Sequence, residues 1–322
     1  MTQPVLVGDI GGTNIRFAVA ETNPVGFPNL KHIWRAPAND FHDFGDALAH
    51  FLKLTPTADH PSQAIFALAG PIDKNSVQLT NNPWTVSRDE LISRFGFERL
   101  VFMNDFAAMA RSVPALPDNA FDTLQKGAPS LTITPKATLA IAGAGTGLGQ
   151  ALLVGDPSEG WSVFPTEGGH QPFAPLNKYE SEIHSLLRDR YDYVSSELIC
   201  SGRGLERVYK AIAKVQGRPA KDLIASEITE RAKVGNSLAI ETCQFAANAL
   251  MSFIGNAVLS SGAWQGAVIA GGVSQHLRPY LSRPEAIERF NDKGKMQSRM
   301  ERVPLRLLLD PTAPLIGAAS SS

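Results

Sequence analysis

A buried-strand pattern that ends in a glycine turn occurs three times in this chain, and this repetition limits its fold more than any other feature. The turns are GDIGGTN (8–14), GAGTGLG (143–149) and AGGV (270–273). Apolar residues precede each turn, and segments with apolar residues at helical spacing lie between them. Because strands, glycine turns and helices recur in both halves, the sequence favours an α/β fold of two similarly built domains.

The same patterns predict individual strands and helices. Strands are predicted over 4–10, 14–21, 63–72 and 99–105, as a strand pair over 137–155, and from 265 to the third glycine turn. Helices are predicted over 41–54, 87–96, 106–113, 180–191 and 237–262. The helix near Ser87 has the clearest ends, because Glu90 follows three residues later in a capping-box pattern and Gly96 stops it.

Composition and charge exclude several classes of protein. With 322 residues, 43% of them hydrophobic and 19% charged, the chain can bury the cores of two domains or of one large α/β unit. A net charge of -1 creates no field that would attract nucleic acid or an acidic membrane surface. Cys200 and Cys243 are too few and too distant for a disulfide framework or a Cys-rich zinc module, so we expect buried thiols in a reducing compartment.

Targeting signals are absent from the sequence pattern. No basic segment with an apolar run behind it precedes PVLVGDI, and no apolar run approaches the roughly 18 residues that span a membrane. We therefore expect a cytoplasmic protein with no membrane partner and no nucleic-acid partner.

The first glycine turn has the chemistry of a phosphate site. Gly11 and Gly12 let the backbone approach an anion closely, while Thr13 and Asn14 add side-chain donors. Asp9 could hold a Mg²⁺ ion through water. The turn lacks the Lys-Ser/Thr pair of a P-loop, and no G-x-G-x-x-G opens a helix here. A plain glycine-rich hairpin explains this turn equally well when it is taken alone.

The second turn strengthens the phosphate interpretation. It offers small residues, the hydroxyl of Thr146 and no charge that would repel a phosphate. Two such turns, far apart in the chain and each placed after a strand, are what a nucleotide held between two domains requires.

The segment TEGGHQPF (166–173) places Glu167 three residues before His170, which on a helix is a spacing that can hold a metal. Each of the two intervening glycines disfavours a helix by about 1 kcal/mol relative to Ala. We therefore expect a turn that does not bring the two side chains together. No cysteine or third ligand lies nearby in the sequence, so no zinc site is predicted.

Taken together and in order, these motifs resemble those of the bacterial glucokinases, hexokinase-related sugar kinases of the actin-like ATPase superfamily. The resemblance extends from residue 5 to about residue 318. It rests on D-x-G-G-T-N-x-R at 9–16, LTNNPW at 79–84, NDF at 104–106, GAGTGLG, EGGH at 167–170, SGRGL at 201–205 and AGGV. It implies two actin-like (ribonuclease H-like) α/β domains with a cleft between them. The small domain would comprise 1–112 with 304–322, and the large domain 113–303.

The resemblance also implies an activity. It is the ATP-dependent phosphorylation of D-glucose at the 6-hydroxyl, giving glucose 6-phosphate and ADP, with Mg²⁺ as the metal and a homodimer as the assembly. A kinase of another hexose, or another actin-like phosphotransferase such as an exopolyphosphatase or acetate kinase, would use the same phosphate turns. An alternative from a different functional class is a regulator that binds sugar without turnover.

Site residues follow from the resemblance position by position. Asp105 would be the general base, although local sequence alone explains Asn104-Asp105 equally as a helix cap, and Glu197 as a solvated residue at a helix start. The residues assigned to the sugar are Asn82, Asn104, Asp105, Glu167, His170 and Glu197. The residues assigned to ATP are Gly8, Asp9, Ile10, Gly11, Gly12, Thr13, Asn14, Gly145, Thr146, Gly271 and Gly272, with Asp9 also assigned to Mg²⁺. Gln171-Pro172 and Arg203 depart from the family pattern.

Overall fold

The structure is a computed structural model that describes residues 4–21, 27–73, 75–80, 82–128 and 137–321. Its strands are β1 Val5–Ile10, β2 Asn14–Glu21, β3 Asn29–Pro37, β4 Gln63–Leu68, β5 Ser76–Gln78, β6 Thr85–Ser87, β7 Arg99–Asn104, β8 Phe121–Gln125, β9 Ala137–Ala144, β10 Leu148–Asp156, β11 Gly160–Thr166, β12 Gly266–Ala270 and β13 Leu305–Leu308. Its α-helices are α1 Phe44–Leu54, α2 Arg88–Phe95, α3 Asp105–Ser112, α4 Lys178–Arg188, α5 Ser196–Cys200, α6 Gly202–Val215, α7 Ala225–Lys233, α8 Ser237–Ser261, α9 Gly272–His276, α10 Arg278–Leu281, α11 Pro284–Asn291, α12 Gln297–Met300 and α13 Ala313–Ala319.

The chain divides into two compact units. The first unit comprises Met1–Asp118, Glu159–Pro165 and Asp310–Ser322, and the second unit comprises Asn119–Ser158 and Thr166–Leu309. Within the described ranges, no helix is both long enough and apolar enough to cross a membrane.

The first unit is built on a sheet with the strand order β3-β2-β1-β4-β7. β1 pairs antiparallel with β2 across the first glycine turn, and β1, β4 and β7 run parallel. Aromatic residues led by Phe17 and Phe66 pack α1 against one face of the sheet, while Leu315 of α13 lies in the core on the other face. The carboxyl ends of β1, β4 and β7 therefore meet at one edge, where ligands bind in parallel sheets.

The second unit repeats this plan. Its strands β10-β9-β12-β13-β8 are neighbours in that order, with β9 and β10 antiparallel across the second glycine turn and β12 parallel to β9. Helix α8 is buried along most of its length, is capped by Asn236 and ends at Gly262 in the left-handed region. The predicted repetition of strand, glycine turn and strand is thus confirmed in both units.

Most predicted elements are confirmed, with shifts at their ends. Helix α2 begins after Ser87, whose hydroxyl accepts from the Glu90 N–H, and stops at Gly96 with φ 72°. Helix α1 begins three residues later than predicted, because the carboxylate of Asp43 caps it by accepting from the Asp46 N–H. Strand β4 ends at Leu68, earlier than predicted, because the chain turns at Gly70, where a side chain would overlap the Gln78 carbonyl oxygen.

Candidate active site

Asn104 and Asp105 lie at the carboxyl edge of the first sheet, where β7 passes into α3. Asn104 is the N-cap: its side-chain oxygen accepts from the Ala107 N–H at 3.0 Å. Asp105 is the first helical residue, and its Oδ1 accepts from the Phe106 N–H at 2.8 Å. The capping interpretation is therefore confirmed for Asn104. This capping bond uses the side-chain oxygen of Asn104, so its NH₂ group can donate to a ligand.

The carboxyl group of Asp105 has an unusual ionisation. Burial raises its pKa to about 6, and the negative charge of Asp9 acts in the same direction. The hydrogen bond from the Phe106 N–H opposes both. A carboxylate tuned in this way is mostly ionised at neutral pH and still basic enough to accept a proton, which suits a general base.

Asp9 lies near the end of β1 and is held by an arginine. Its Oδ2 accepts from Arg16 Nη1 at 3.2 Å, and the same nitrogen donates to the Pro311 carbonyl at 2.8 Å. Burial raises the pKa of Asp9, while Arg16 opposes the shift. Because one oxygen already has a cationic partner, the carboxylate fits a Mg²⁺ ion that keeps its own water molecules between metal and protein.

The first glycine turn is closed by its own backbone. Gly11 donates its N–H to the Asn14 carbonyl at 3.0 Å, and Asn14 Nδ2 donates to the Thr13 hydroxyl. Asn82 is buried; its Oδ1 accepts from the Trp84 N–H at 2.9 Å and its Nδ2 donates to the Gly12 carbonyl at 3.4 Å. In this structure Asn82 thus ties the turn to its own loop.

Gly8 and Ile10 differ from the other residues assigned to ATP, because both are packed in the core of the first unit. A side chain at Gly8 would lie 2.8 Å from the Phe66 ring, and Ile10 is fully buried. They set the position of the strand and offer a ligand only their backbone. Thr13 at the tip of the turn, in contrast, is exposed, and its hydroxyl oxygen accepts from Asn14 Nδ2 at 3.0 Å.

In the second unit, Glu197 holds the second glycine turn. Its Oε2 accepts from the Leu148 N–H at 2.9 Å, and a side chain at Gly147 would come within 2.6 Å of the same oxygen. Gly145 donates to the Gly147 carbonyl at 2.9 Å, which leaves Thr146 exposed at the tip. Glu197 does begin a short helix, but it is half-buried and bonded, so it is not a solvated surface residue.

The third glycine turn packs directly on the second. Gly271 has φ 90°, and a side chain there would overlap the Ala144 carbonyl oxygen. The buried hydroxyl of Ser274 accepts from the Ala144 N–H at 3.1 Å, and Gly202 donates to the Gly145 carbonyl at 2.9 Å. Sequence reasoning missed Ser274 and Gly202. A polar residue just after a glycine turn was the available signal for Ser274.

This packing makes a prediction for Gly271. Gly271→Ala is expected to lower the free energy of unfolding by at least about 1 kcal/mol, because alanine rarely adopts this backbone conformation and its methyl group would displace the second turn. Gly272→Ala is the matched control, since a side chain there meets nothing within 4 Å. Chemical denaturation of both variants measures the difference, and equal stabilities would contradict the packing argument.

The structure corrects the prediction for Glu167 and His170. Gly168–His170 form one turn of 3-10 helix, in which the His170 N–H donates to the Glu167 carbonyl at 3.0 Å. His170 Nε2 consequently lies 3.8 Å from Glu167 Oε2, so the expectation that the glycines keep the side chains apart was wrong. The glycine cost applies to a propagating α-helix, whereas a single 3-10 turn needs one hydrogen bond.

The two glycines of this turn are required by packing. A side chain at Gly168 would overlap the Gln150 side chain, and one at Gly169 would overlap the Leu148 carbonyl. The turn is thereby pressed onto β10, and both Glu167 and His170 remain exposed. In the described part of the chain, no third metal-ligating side chain lies close to this pair.

The departure from the family pattern at Gln171-Pro172 forms a short β-bridge. Ser196 donates its N–H to the Gln171 carbonyl at 2.8 Å, and Phe173 donates to the Val194 carbonyl at 2.9 Å. Pro172 sits between these bonds as the bridge partner of Ser195, where the missing N–H of proline costs nothing. The bridge joins the Glu167–His170 turn to the helix that carries Glu197.

The fold and these groups define the class as an actin-like sugar kinase. The chain matches the Glucokinase family model over residues 6–322 and belongs to that family. The glucokinase of Nitrobacter hamburgensis is 35% identical, with 99% of this chain and 97% of that protein covered. The two expected actin-like α/β domains are confirmed as the fold class.

Solved structures agree with this assignment. The crystal structure of glucokinase from an Antarctic psychrotroph superposes with a TM-score of 0.86 at 34% identity, covering 100% of this chain and 99% of that one. The glucokinase from Balamuthia mandrillaris, crystallised in complex with glucose, superposes with a TM-score of 0.80 at 24% identity over 98% of this chain and 92% of that one. At that identity the second likeness supports the fold.

Proposed function

We propose that this protein phosphorylates D-glucose at the 6-hydroxyl with ATP, giving glucose 6-phosphate and ADP. One observation carries the proposal beyond family membership. Asp105 stands at the carboxyl end of a parallel strand with its pKa raised to about 6. A kinase that acts on an alcohol needs such a carboxylate to accept the hydroxyl proton as the phosphoryl group moves.

Several polar side chains are assigned to the sugar. Each hydroxyl donates and accepts hydrogen bonds, so a carboxylate, an imidazole and an amide suit it together. We assign Asn104, Glu167, His170 and Glu197 to the sugar hydroxyls and Asp105 to the 6-hydroxyl. Asn82 is also assigned to the sugar. Its side chain supports the first glycine turn by donating to the Gly12 carbonyl.

The nucleotide is assigned to the glycine turns. The backbone of Gly11 and Gly12 with Thr13, and of Gly145 with Thr146, would contact the phosphates, and Gly271 with Gly272 would let the adenosine approach closely. Asp9 would hold Mg²⁺ through water. When bound, the metal supplies positive charge that offsets the charge developing on the transferred phosphoryl group.

The deciding experiment is a coupled assay across a panel of hexoses and phosphoryl donors. Glucose with ATP is expected to give the highest kcat/KM. A higher value with mannose or fructose would make this a kinase of another hexose. Turnover of acetate or polyphosphate without any hexose activity would point to another actin-like phosphotransferase and overturn the proposal.

The raised pKa of Asp105 predicts a pH profile. The base must be ionised to accept a proton, so kcat/KM for glucose is expected to fall as the pH drops through about 6. Asp9→Asn removes the neighbouring negative charge and should lower the pKa of Asp105, which moves this acid limb to lower pH. Profiles of both proteins measured under identical Mg²⁺ and ATP concentrations test this, and an acid limb that does not move would contradict it.

Three further assignments follow from the family resemblance. The small domain would comprise 1–112 with 304–322, and the large domain 113–303. The protein would act in the cytoplasm, where ATP and sugar phosphates are metabolised, and it would do so as a homodimer. Light scattering coupled to size-exclusion chromatography measures the assembly directly.

A further inference from the structure

A cavity in the second unit lies between the end of α4 and one face of α6, and none of the residues assigned to glucose or ATP lines it. Its volume is about 510 Å³, which is in the range of small-molecule sites. Five cationic side chains line it: Arg190, Arg203, Arg207, Lys210 and Lys214. The chain as a whole has a net charge of -1, so this positive charge is a local concentration.

The lining carboxylates do not balance these cations. Asp189 and Glu206 also line the cavity, and Glu206 accepts from the Ala225 N–H at 3.3 Å. Lys210 forms an ion pair with Asp222, which does not line the cavity. The positive excess therefore remains on the arginines and Lys214, and it favours an anionic occupant.

Two of the arginines lie near one aromatic ring. The guanidinium carbons of Arg190 and Arg207 lie 5.5 and 5.2 Å from the ring centroid of Tyr191, within the range of cation–π attraction. Such a contact favours guanidinium positions near the ring. The forked N–H groups of a guanidinium match the oxygens of a phosphate in pairs. This arrangement distinguishes the cavity from an ordinary solvated stripe of lysines.

The cavity is also connected to the second glycine turn. Arg203 lines it, and the preceding residue Gly202 begins α6 and donates its N–H to the Gly145 carbonyl at 2.9 Å. A ligand that draws Arg203 toward it acts on the first turn of α6. That turn is bonded to the backbone assigned above to the phosphates of ATP.

We propose that this cavity binds a small phosphorylated metabolite, at a site separate from the glucose and ATP residues, and that its occupancy changes the affinity for ATP. Binding at the cavity is independent of the proposed function, whereas the effect on ATP rests on it. Inorganic pyrophosphate and glucose 6-phosphate share the required chemistry and serve as the two probes.

The binding test is isothermal titration of each probe into enzyme saturated with glucose and a non-hydrolysable ATP analogue, so that the assigned active-site residues are occupied. Arg207→Gln combined with Lys214→Gln is expected to weaken binding about tenfold or more, since both substitutions remove charge-assisted hydrogen bonds to the anion. Lys178→Gln combined with Lys295→Gln, an equal change of charge at exposed positions, is the control and should bind as the wild type does. Arg190→Gln tests the same cavity if the double variant unfolds.

The kinetic test measures KM for ATP and for glucose with each probe, against sodium chloride at equal ionic strength. The stronger probe should change KM for ATP at least about twofold in the wild type and lose this effect in the double variant. Absence of binding at about 10 mM probe, or equal binding by the double variant, would overturn the site. Binding without a change in KM for ATP would overturn the coupling. A protein that binds the probes here but phosphorylates no sugar would overturn the proposed function and leave the site standing.

Discussion

Asp105→Asn is expected to lower kcat for glucose phosphorylation on the order of 10²-fold or more, while glucose binding stays measurable. Asparagine has nearly the same shape as aspartate, and its side-chain oxygen can still accept from the Phe106 N–H. What it lacks is the basic oxygen that takes the hydroxyl proton. Steady-state kinetics by a coupled assay, with glucose affinity from titration calorimetry, separates the two effects.

The matched control for this substitution is Asp40→Asn. Asp40 is an exposed aspartate of the first unit, so the same change of charge occurs away from the candidate site. Its kcat should equal that of the wild type. A near-normal kcat in Asp105→Asn would rule out the general base, whereas equal losses of kcat and glucose affinity would indicate a role in binding.

Much of the fold could be predicted from sequence because its strongest signals are local. The β1–β2 turn, the Ser87 cap and the Gly96 stop each depend on a few adjacent residues. Strand β3 was not predicted, because its side chains are mostly exposed and show no regular alternation. A strand at the edge of a sheet obtains its conformation from its neighbour, which a single sequence does not identify.

The residues of the candidate site could be proposed from the sequence, whereas their hydrogen-bond partners could not. The bond between Glu197 and the Leu148 N–H joins residues 49 positions apart, and that between Ser274 and the Ala144 N–H spans 130. No spacing rule connects such pairs, since they depend on how helices pack onto the sheet. The same reason explains the error at Glu167 and His170, where packing on β10 selects a 3-10 turn.

His170→Ala is expected to raise KM for glucose by roughly thirtyfold, corresponding to about 2 kcal/mol, and to leave KM for ATP within about twofold. The imidazole of His170 is exposed. The turn that carries it is held by its own backbone hydrogen bonds and by the Tyr193 hydroxyl, which donates to the His170 carbonyl at 2.8 Å. Removing the ring therefore leaves the turn in place and deletes one sugar contact. Glu167→Gln should act in the same direction, because it exchanges a charged acceptor for a weaker one.

The exposure of these side chains makes the experiment decisive. Surface substitutions usually change the free energy of unfolding by less than about 0.5 kcal/mol, so a large rise in KM cannot come from unfolding. His42→Ala removes an exposed histidine of the first unit and is the control for the chemical change, with KM for glucose expected to stay at the wild-type value. Because His170 and Glu167 lie 3.8 Å apart, their effects in the double variant should add up to less than the sum of the single ones. Equal increases in KM for glucose and ATP would instead mean that the turn supports the whole site, and the assignment of these two residues to the sugar would then fail.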